Sequence, residues 1–224
     1  MKRIFILTAL LAAVIGSAMG QTEIRTAEEL AAIGTDKESL SGSYILMNDL
    51  TLDGWMPIGW MNKEGETGFS GSFDGNGHTI TINSFCPETD NRSVGLSGVV
   101  DGKGEIKNLH ITGKPTYTDG QAFLYIGGIA GMNKGKVTCC VSSAELTCEY
   151  VKTELRKKKQ KALPGYEGGQ YGGCIAGINN GEIRHCYSTG RIVVAFARRS
   201  RQKNEAKDDC LPVRIGRKRT VEMG

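Results

Sequence analysis

The chain is poor in proline and in aromatic residues. Five of its 224 residues are proline and 7% are aromatic, whereas glycine, with 31 residues, is about twice as frequent as the ~7% of an average protein. The glycines follow no G-X-Y period, which excludes collagen, and 39% apolar residues argue against wholesale disorder. This composition disfavours a helical bundle and predicts many short elements joined by tight turns.

Long hydrophobic runs are absent after the first twenty residues. Residues 1–20 combine basic Lys2 and Arg3 with an apolar run from Ile4 to Ile15 and small residues before Gln21, the order of a cleaved signal peptide. Such a short run does not cross a ~30 Å hydrocarbon layer as a helix, although an N-terminal membrane anchor remains the alternative. We therefore predict an exported mature chain (secreted, periplasmic or on the cell surface) without a transmembrane segment.

Charges of the two signs are unevenly distributed. Residues 21–151 contain 9 Lys and Arg against 17 Asp and Glu, whereas residues 152–224 contain 17 against 7. Two basic runs, Arg156–Lys161 and Arg198–Arg201, contribute to this excess and could attract a polyanion. Neither run has interleaved aromatic residues that would stack on bases. We predict no nucleic-acid partner and interpret both runs as solvated segments.

The motifs of common catalytic and metal sites are missing. The sequence has no H-E-x-x-H, G-x-S-x-G or P-loop segment. Its seven cysteines include no C-x-x-C and match no common zinc spacing. The segment Asp74–His78 lacks the glycine and glutamate of an EF-hand and is interpreted as a tight turn. We predict no enzyme activity, metal or cofactor; the alternative is a polysaccharide lyase or hydrolase with Asp74 or Asp101 lining a groove.

One helical segment precedes a series of short strands. Residues 26–34 predict a short helix with Thr26 as its N-cap and Gly34 at its end. After Gly42 the apolar runs are short and bounded by Gly, Asn or Asp, as strands between tight turns are. These runs are Tyr44–Met47, Leu50–Leu52, Thr79–Ile82 and Ile106–Ile111.

The sequence contains an internal repeat. Ile129–Val137 recurs as Ile175–Ile183, and the same offset aligns Cys140 with Cys186. A looser, earlier copy starts at Gly95–Gly98 and has two extra residues in its turn. Each copy is too short to bury an apolar face alone, so the repeat predicts stacking of the copies.

Stacked copies predict an all-β chain in the form of a parallel solenoid. Leu109, Cys140 and Cys186 would lie above one another in a shared interior, at the ~4.8 Å spacing of neighbouring strands. Asn133, Asn179 and the glycines beside them are predicted to occupy turns with left-handed backbone. The N-terminal helix would cap the unpaired edge of the first copy. An antiparallel sandwich is the alternative fold.

The cysteines constrain this arrangement without determining their pairing. Their odd number leaves at least one outside any intramolecular disulfide. Adjacent Cys139 and Cys140 cannot both point inward from one strand, because successive side chains face opposite ways.

The short motifs, taken together, resemble the GLUG-motif proteins of bacteria. They are Phe69–Ile80, Gly95–Gly98, Gly128–Gly131 and Cys174–Gly177, preceded by Tyr44–Leu50 and Trp55–Gly59. The resemblance spans about residues 22–195 and implies an exported or surface right-handed parallel β-helix, often adhesin-like. The motif also occurs as a non-catalytic part of secreted IgA-cleaving metallopeptidases. Ser97 departs from the Phe that is usual at this motif position, and the pattern fades after Val194.

These observations predict three parts. Residues 1–20 form the signal peptide, residues 21–195 a GLUG-type β-helix domain with a basic loop inserted at about 150–168, and residues 196–224 a poorly ordered tail or the remnant of a further copy. We expect a non-catalytic binding or adhesion module that contacts glycans or a surface protein. A truncated structural segment of a larger surface protein is a further alternative. The last copy lacks an apolar cap and could pack end to end.

Four aromatic residues are the candidate ligand-binding residues, since they could form a sugar-stacking surface. They are Trp55, Trp60, Tyr166 and Tyr171. The two tryptophans flank Pro57 and could equally wedge the N-terminal cap onto the first copies.

Overall fold

The computed structural model describes residues 20–61, 65–86, 91–119, 123–151 and 169–197. The predicted signal peptide up to residue 19, residues 152–168 of the basic insert and the tail after residue 197 lie outside these ranges. Within them the chain is all-β except for one short α-helix and one turn of 3-10 helix. The prediction of an all-β chain is confirmed.

The helix α1 spans Ala27–Ala32, within the segment where the sequence predicts a helix. Thr26 Oγ1 accepts a hydrogen bond from the Glu29 N–H at 3.2 Å, and the Glu29 carboxylate accepts one from the Thr26 N–H at 3.1 Å. This reciprocal capping box satisfies two backbone donors at the helix start. Leu30 and Ala31 are buried, and Gly34 follows with a φ of 90°, a left-handed conformation that favours glycine.

The 3-10 turn and the strands are short. The 3-10 turn is Ser39–Ser41, and the strands are β1 Thr22–Ile24, β2 Ser43–Leu46, β3 Leu50–Leu52, β4 Trp60–Met61, β5 Glu66–Thr67, β6 Ser72–Asp74, β7 Thr79–Ile82, β8 Ser93–Val94, β9 Ser97–Val100, β10 Glu105–Lys107, β11 His110–Thr112, β12 Thr116–Asp119, β13 Phe123–Gly127, β14 Ala130–Asn133, β15 Lys136–Thr138, β16 Val141–Ser142, β17 Glu145–Val151, β18 Gly169–Gly173, β19 Ala176–Asn179, β20 Glu182–Arg184, β21 Tyr187–Ser188 and β22 Arg191–Ala197. The last strand extends two residues beyond the predicted domain boundary at 195.

The described strands form five parallel sheets and one antiparallel pair, β4–β5. The parallel sheets have the orders β1-β2-β6-β10-β15-β20, β21-β16-β11-β7-β3, β12-β17-β22, β18-β13-β8 and β19-β14-β9. Along the chain, β10 to β14 enter these five sheets in turn, and β15 to β19 repeat the same order. Parallel pairing of sequence-distant strands argues against the antiparallel sandwich.

The strand register reproduces the internal repeat. The second and third copies pair Ala130 with Ala176, Val137 with Ile183, and Leu146 with Ile192. Between the first and second copies the register shifts by two residues from the Ser97–Ala130 pair to the Ile106–Val137 pair. This shift confirms the two extra residues predicted in the turn of the first copy.

Aligned apolar side chains fill the interior. Leu109 is 2% exposed and Cys140 is fully buried, while half-buried Cys186 packs against the same core. The Cys140 N–H donates to Cys186 Sγ at 3.4 Å. Cys139, in contrast, is exposed. The predicted stack and the predicted alternation of Cys139 and Cys140 are both confirmed.

The predicted left-handed turns at Asn133 and Asn179 are wrong. Both residues end strands, and the fully buried Asn133 side chain donates from Nδ2 to Asn179 Oδ1 at 2.7 Å. In-register stacking lets the two amides bond between copies, and this bond replaces the predicted turn. The described non-glycine residues with left-handed backbone, at φ of 51–54°, are instead Asn76, Asn108, Cys139 and His185.

Ser142 provides a test of the core. Its hydroxyl is fully buried and has no hydrogen-bond partner among the described residues, and an unsatisfied buried hydroxyl is destabilising. We expect Ser142→Ala to raise the free energy of unfolding by about 1 kcal/mol, measured by urea denaturation. The matched control is Ser188→Ala, one copy later. This variant removes the hydrogen bond that Ser188 Oγ donates to the Ser142 carbonyl at 2.7 Å, and it is expected to lower the free energy of unfolding. A less stable Ser142→Ala variant would contradict this assignment.

Candidate functional site

Trp55 is part of the core. Its side chain is 1% exposed, and the indole N–H donates to the Leu96 carbonyl at 3.0 Å. A ligand in solvent does not reach this ring, so the prediction that Trp55 binds a ligand is wrong. Its burial agrees with the alternative, in which the tryptophans wedge the N-terminal cap onto the first copies.

Trp60 and Tyr171 are the other predicted aromatic residues that the structure describes. Trp60 is half-buried on β4. Tyr171, on β18, is 38% exposed, and its ring stacks on that of Tyr125 with centroids 5.4 Å apart. Trp60 and Tyr171 belong to different sheets, and Tyr166 lies outside the described residues. Of the predicted aromatic residues that the structure describes, Tyr171 is therefore the exposed one.

A groove of about 370 Å³ lies at the corner that follows the six-stranded sheet. We call it the corner groove; its lining residues are Asp74, Asn76, Gly77, Asn108, Leu109, His110, Cys139 and Val141. Left-handed backbone at Asn76, Asn108 and Cys139 turns successive copies at this corner. Stacking therefore gathers polar side chains from several copies, which a search for local motifs does not detect.

Asp74 is held firmly at one side of the corner groove. Its Oδ1 accepts hydrogen bonds from the Asn76 N–H at 2.8 Å and from Asn108 Nδ2 at 3.1 Å, and its Oδ2 lies 3.6 Å from Lys107 Nζ. The Asn76 bond and a bond from the His78 N–H to the Gly75 carbonyl confirm the tight turn predicted over 74–78.

Asp101, the other carboxylate considered for an enzyme, is not among the lining residues of the corner groove. It is exposed in the turn after β9, where its Oδ1 accepts a bond from the Gly102 N–H at 2.8 Å. The fold thus places Asp74 and Asp101 in separate turns.

Two histidines come from neighbouring copies: His78 directly precedes β7, and His110, which lines the groove, begins the paired strand β11. His78 Nδ1 is 3.2 Å from Asp49 Oδ1, an oxygen that also accepts the Thr79 N–H at 2.9 Å. The hydrogen bond from Thr79, followed by that from His78, holds the pKa of the Asp49 carboxyl below its usual range.

His110 bridges two strands. Its Nδ1 lies 3.3 Å from Thr79 Oγ1 and its Nε2 lies 2.8 Å from Ser143 Oγ. A serine–histidine contact is part of a nucleophilic site only when a third group orients the base, and a carboxylate does so in the usual triad. Here that third contact is the Thr79 hydroxyl, so the network fixes the imidazole at the groove.

The described ranges contain no group of three or more His, Cys, Asp and Glu side chains able to hold a metal ion. They also contain no helix with the length and apolar character needed to cross a membrane. The lining of the corner groove instead combines a carboxylate, two amides and an imidazole with the apolar residues Leu109 and Val141. Few convergent polar groups on an apolar floor are typical of small-molecule and sugar sites.

Comparison with known proteins gives partial matches. No family model and no solved structure matches the chain. It is 36% identical over 84 residues to a putative Gly-rich membrane protein of Evansella cellulosilytica and 30% identical over 128 residues to halomucin of Haloquadratum walsbyi. These matches cover 38% and 52% of this chain but 9% and 1% of those proteins. The chain is thus similar to short parts of much longer proteins, one of which is described as a membrane protein.

Proposed function

We propose that this chain is an exported, non-catalytic binding or adhesion module that holds hydroxyl-rich glycans at the corner groove. The observation that carries the proposal is the convergence of Asp74, Asn76, Asn108 and His110 on one partly open groove. Carboxylate, amide and imidazole groups exchange hydrogen bonds with sugar hydroxyls, and half-buried Val141 offers an apolar surface to a sugar ring.

The proposed fold is a right-handed parallel β-helix of the GLUG type. Two successive copies enter the five parallel sheets in the same order, as the turns of a solenoid do. The helix α1 lies against β3, the edge strand of the five-stranded sheet, which supports a capping role for its buried Leu30 and Ala31. The export signal predicted over residues 1–20 and the similarity to a membrane protein support a location at or outside the cell envelope.

The first experiment is retention of the chain from residue 21 onward on immobilised polysaccharides and mucins at physiological salt. The proposal expects retention on at least one glycan, with no cleavage products in the eluate. Released oligosaccharides would replace it with the lyase or hydrolase alternative. Absence of retention on every glycan would contradict glycan binding.

Asn108→Gly tests the site itself. Glycine tolerates the left-handed backbone at this position, where φ is 53°, so the variant removes the amide and leaves the turn. We expect about tenfold weaker glycan binding, the equivalent of roughly 1.4 kcal/mol, measured by titration calorimetry with the retained glycan.

The matched control is Asn83→Ala. Asn83 Nδ2 donates to Asp53 Oδ1 at 3.0 Å, and neither residue lines the corner groove. This variant loses a side-chain hydrogen bond similar to the one that Asn108 makes with Asp74, and it is expected to bind like the wild type. Equal binding by Asn108→Gly and the wild type would move the site elsewhere.

The length of the matched relatives favours a second candidate, a structural repeat segment of a larger surface protein. The chain spans 9% and 1% of those proteins. Such a segment would bind no glycan at the corner groove. Further Gly-Ile-Ala-Gly copies encoded downstream of the gene would favour this second candidate.

A further inference from the structure

The fold places Cys140 and Cys186 at equivalent positions of adjacent copies. Cys140 directly precedes β16 and Cys186 directly precedes β21, and these two parallel strands pair Val141 with Tyr187. Neighbouring strands are about 4.8 Å apart, within the ~4.4–6.8 Å range of Cα separations that a disulfide spans. The backbone therefore places the two Cα atoms within the range of a disulfide. Cys140 Sγ contacts the carbonyl oxygens of Thr138 and Ile106 at 3.2 and 3.8 Å and has to rotate toward Cys186 to form the bond.

The two side chains also share one direction. Cys140 is fully buried, and Cys186 packs against the same core. Cys186 Sγ lies 3.4 Å from the Cys140 nitrogen, so its sulfur reaches the neighbouring copy. Both cysteines are thiols in this structure.

The other nearby candidates are less suited to this bond. Cys139 is next to Cys140 but is exposed, on the opposite side of the backbone, and its left-handed φ of 53° turns the chain between the two side chains. Cys86 already takes part in a disulfide. Of these cysteines, Cys140 is thus the one that the register places beside Cys186.

We propose that Cys140 and Cys186 are an oxidation site, at which a small-molecule or protein disulfide converts the two thiols into a disulfide that ties the third copy to the second. The Cys186 thiol loses its proton, and its sulfur attacks the incoming disulfide; one thiol leaves and a mixed disulfide remains. The Cys140 thiol then loses its proton, attacks Cys186 Sγ and releases the second thiol. Two protein thiols are oxidised and one external disulfide is reduced to two thiols.

The order of the two steps follows from exposure. Cys186 is half-buried beside an edge strand, β21, so it meets the oxidant first. Burial raises the pKa of the Cys140 thiol to about 12, which makes the second step slow in the folded protein. The disulfide would close a loop from Cys140 to Cys186 that includes the basic insert. The bond would therefore fix the register of the third copy on the second, whatever conformation the insert adopts.

The test exposes the folded full chain, first reduced, to oxidised glutathione and follows it by intact mass and by peptide mapping without reduction. We expect a link between the peptide of Cys140 and that of Cys186, and a loss of two hydrogens beyond those lost when the Cys86 disulfide re-forms. Cys139→Ser should keep the link, whereas Cys140→Ser and Cys186→Ser should lose it. Circular dichroism verifies that each variant is folded, and oxidation should raise the urea midpoint of the wild type.

Two results would overturn the proposal. One is a glutathione adduct on exposed Cys139, which proves that the oxidant is active, without a Cys140–Cys186 link in the wild type or in Cys139→Ser. The other is a link that persists in folded Cys140→Ser, since Cys139 would then be the partner of Cys186. Glycan binding is not part of either readout, so the outcome is independent of the proposed function.

Discussion

Trp55→Ala is expected to lower the free energy of unfolding by about 4 kcal/mol. The ring is 1% exposed and belongs to the main core cluster, so truncation leaves a large cavity. It also removes one of two donors to the Leu96 carbonyl, which accepts the indole N–H and the Ile58 N–H, each at 3.0 Å. Leu96 belongs to the first copy, which starts at Gly95–Gly98. Loss of the indole hydrogen bond should weaken the contact between this copy and the segment that contains Trp55. Urea denaturation followed by circular dichroism measures the effect.

Two further variants separate packing from ligand binding. Trp55→Phe keeps most of the apolar volume but loses the hydrogen bond, and it should lose about 1–2 kcal/mol. Trp60→Ala truncates a half-buried ring on β4 and should lose less than Trp55→Ala. If Trp55→Ala kept wild-type stability but lost retention on glycans, Trp55 would be a ligand-binding residue after all.

The stacking of the copies could be predicted from the sequence because a constant offset constrains every residue of a copy at once. When Ile129–Val137 recurs as Ile175–Ile183, the same side chains fall at the same points of consecutive turns. Parallel pairing then places similar side chains next to each other, for example Val137 and Ile183. Cys139 and Cys140 face opposite ways, as the two-residue period of a strand predicts, but in the structure this arises at the left-handed corner between β15 and β16.

The corners could not be predicted in the same way. Asparagine favours left-handed backbone, but at Asn133 the amide has a better partner in the next copy, Asn179 Oδ1, and the residue stays extended. The left-handed corner of the same copy falls on Cys139, a residue type without that preference. Backbone conformation there is set by stacking on the corner at Asn108, so a single copy carries no signal for it.

The corner groove escapes sequence reasoning for the same reason. Asp74, Asn108 and Cys139 each follow or end a strand of a different copy, and only the register of the stack brings them together. Aromatic content was a poor guide to the site, because composition does not distinguish a buried ring such as Trp55 from an exposed one such as Tyr171.

The glycines of the repeated motif have a steric reason that the structure makes explicit. Gly98, Gly131 and Gly177 are aligned in β9, β14 and β19. A Cβ at Gly98 would lie 2.5 Å from the Gly59 carbonyl oxygen, and one at Gly177 would lie 2.7 Å from the Ile126 nitrogen. In each copy the backbone of another segment therefore passes too close for any side chain.

Gly131→Ala is accordingly expected to lower the free energy of unfolding by about 3 kcal/mol. The new methyl group would overlap Ser93 Oγ and lie 2.5 Å from the Val94 nitrogen, and backbone of a paired strand cannot move aside as a flexible side chain can. The matched control is Gly102→Ala, since a Cβ there meets only the Lys134 carbonyl oxygen at 3.9 Å; it should remain within about 1 kcal/mol of the wild type. Urea midpoints of the two variants decide the matter: equal midpoints would mean that β8 and β14 are farther apart than described, and that the motif glycine serves the turn rather than the close approach of strands.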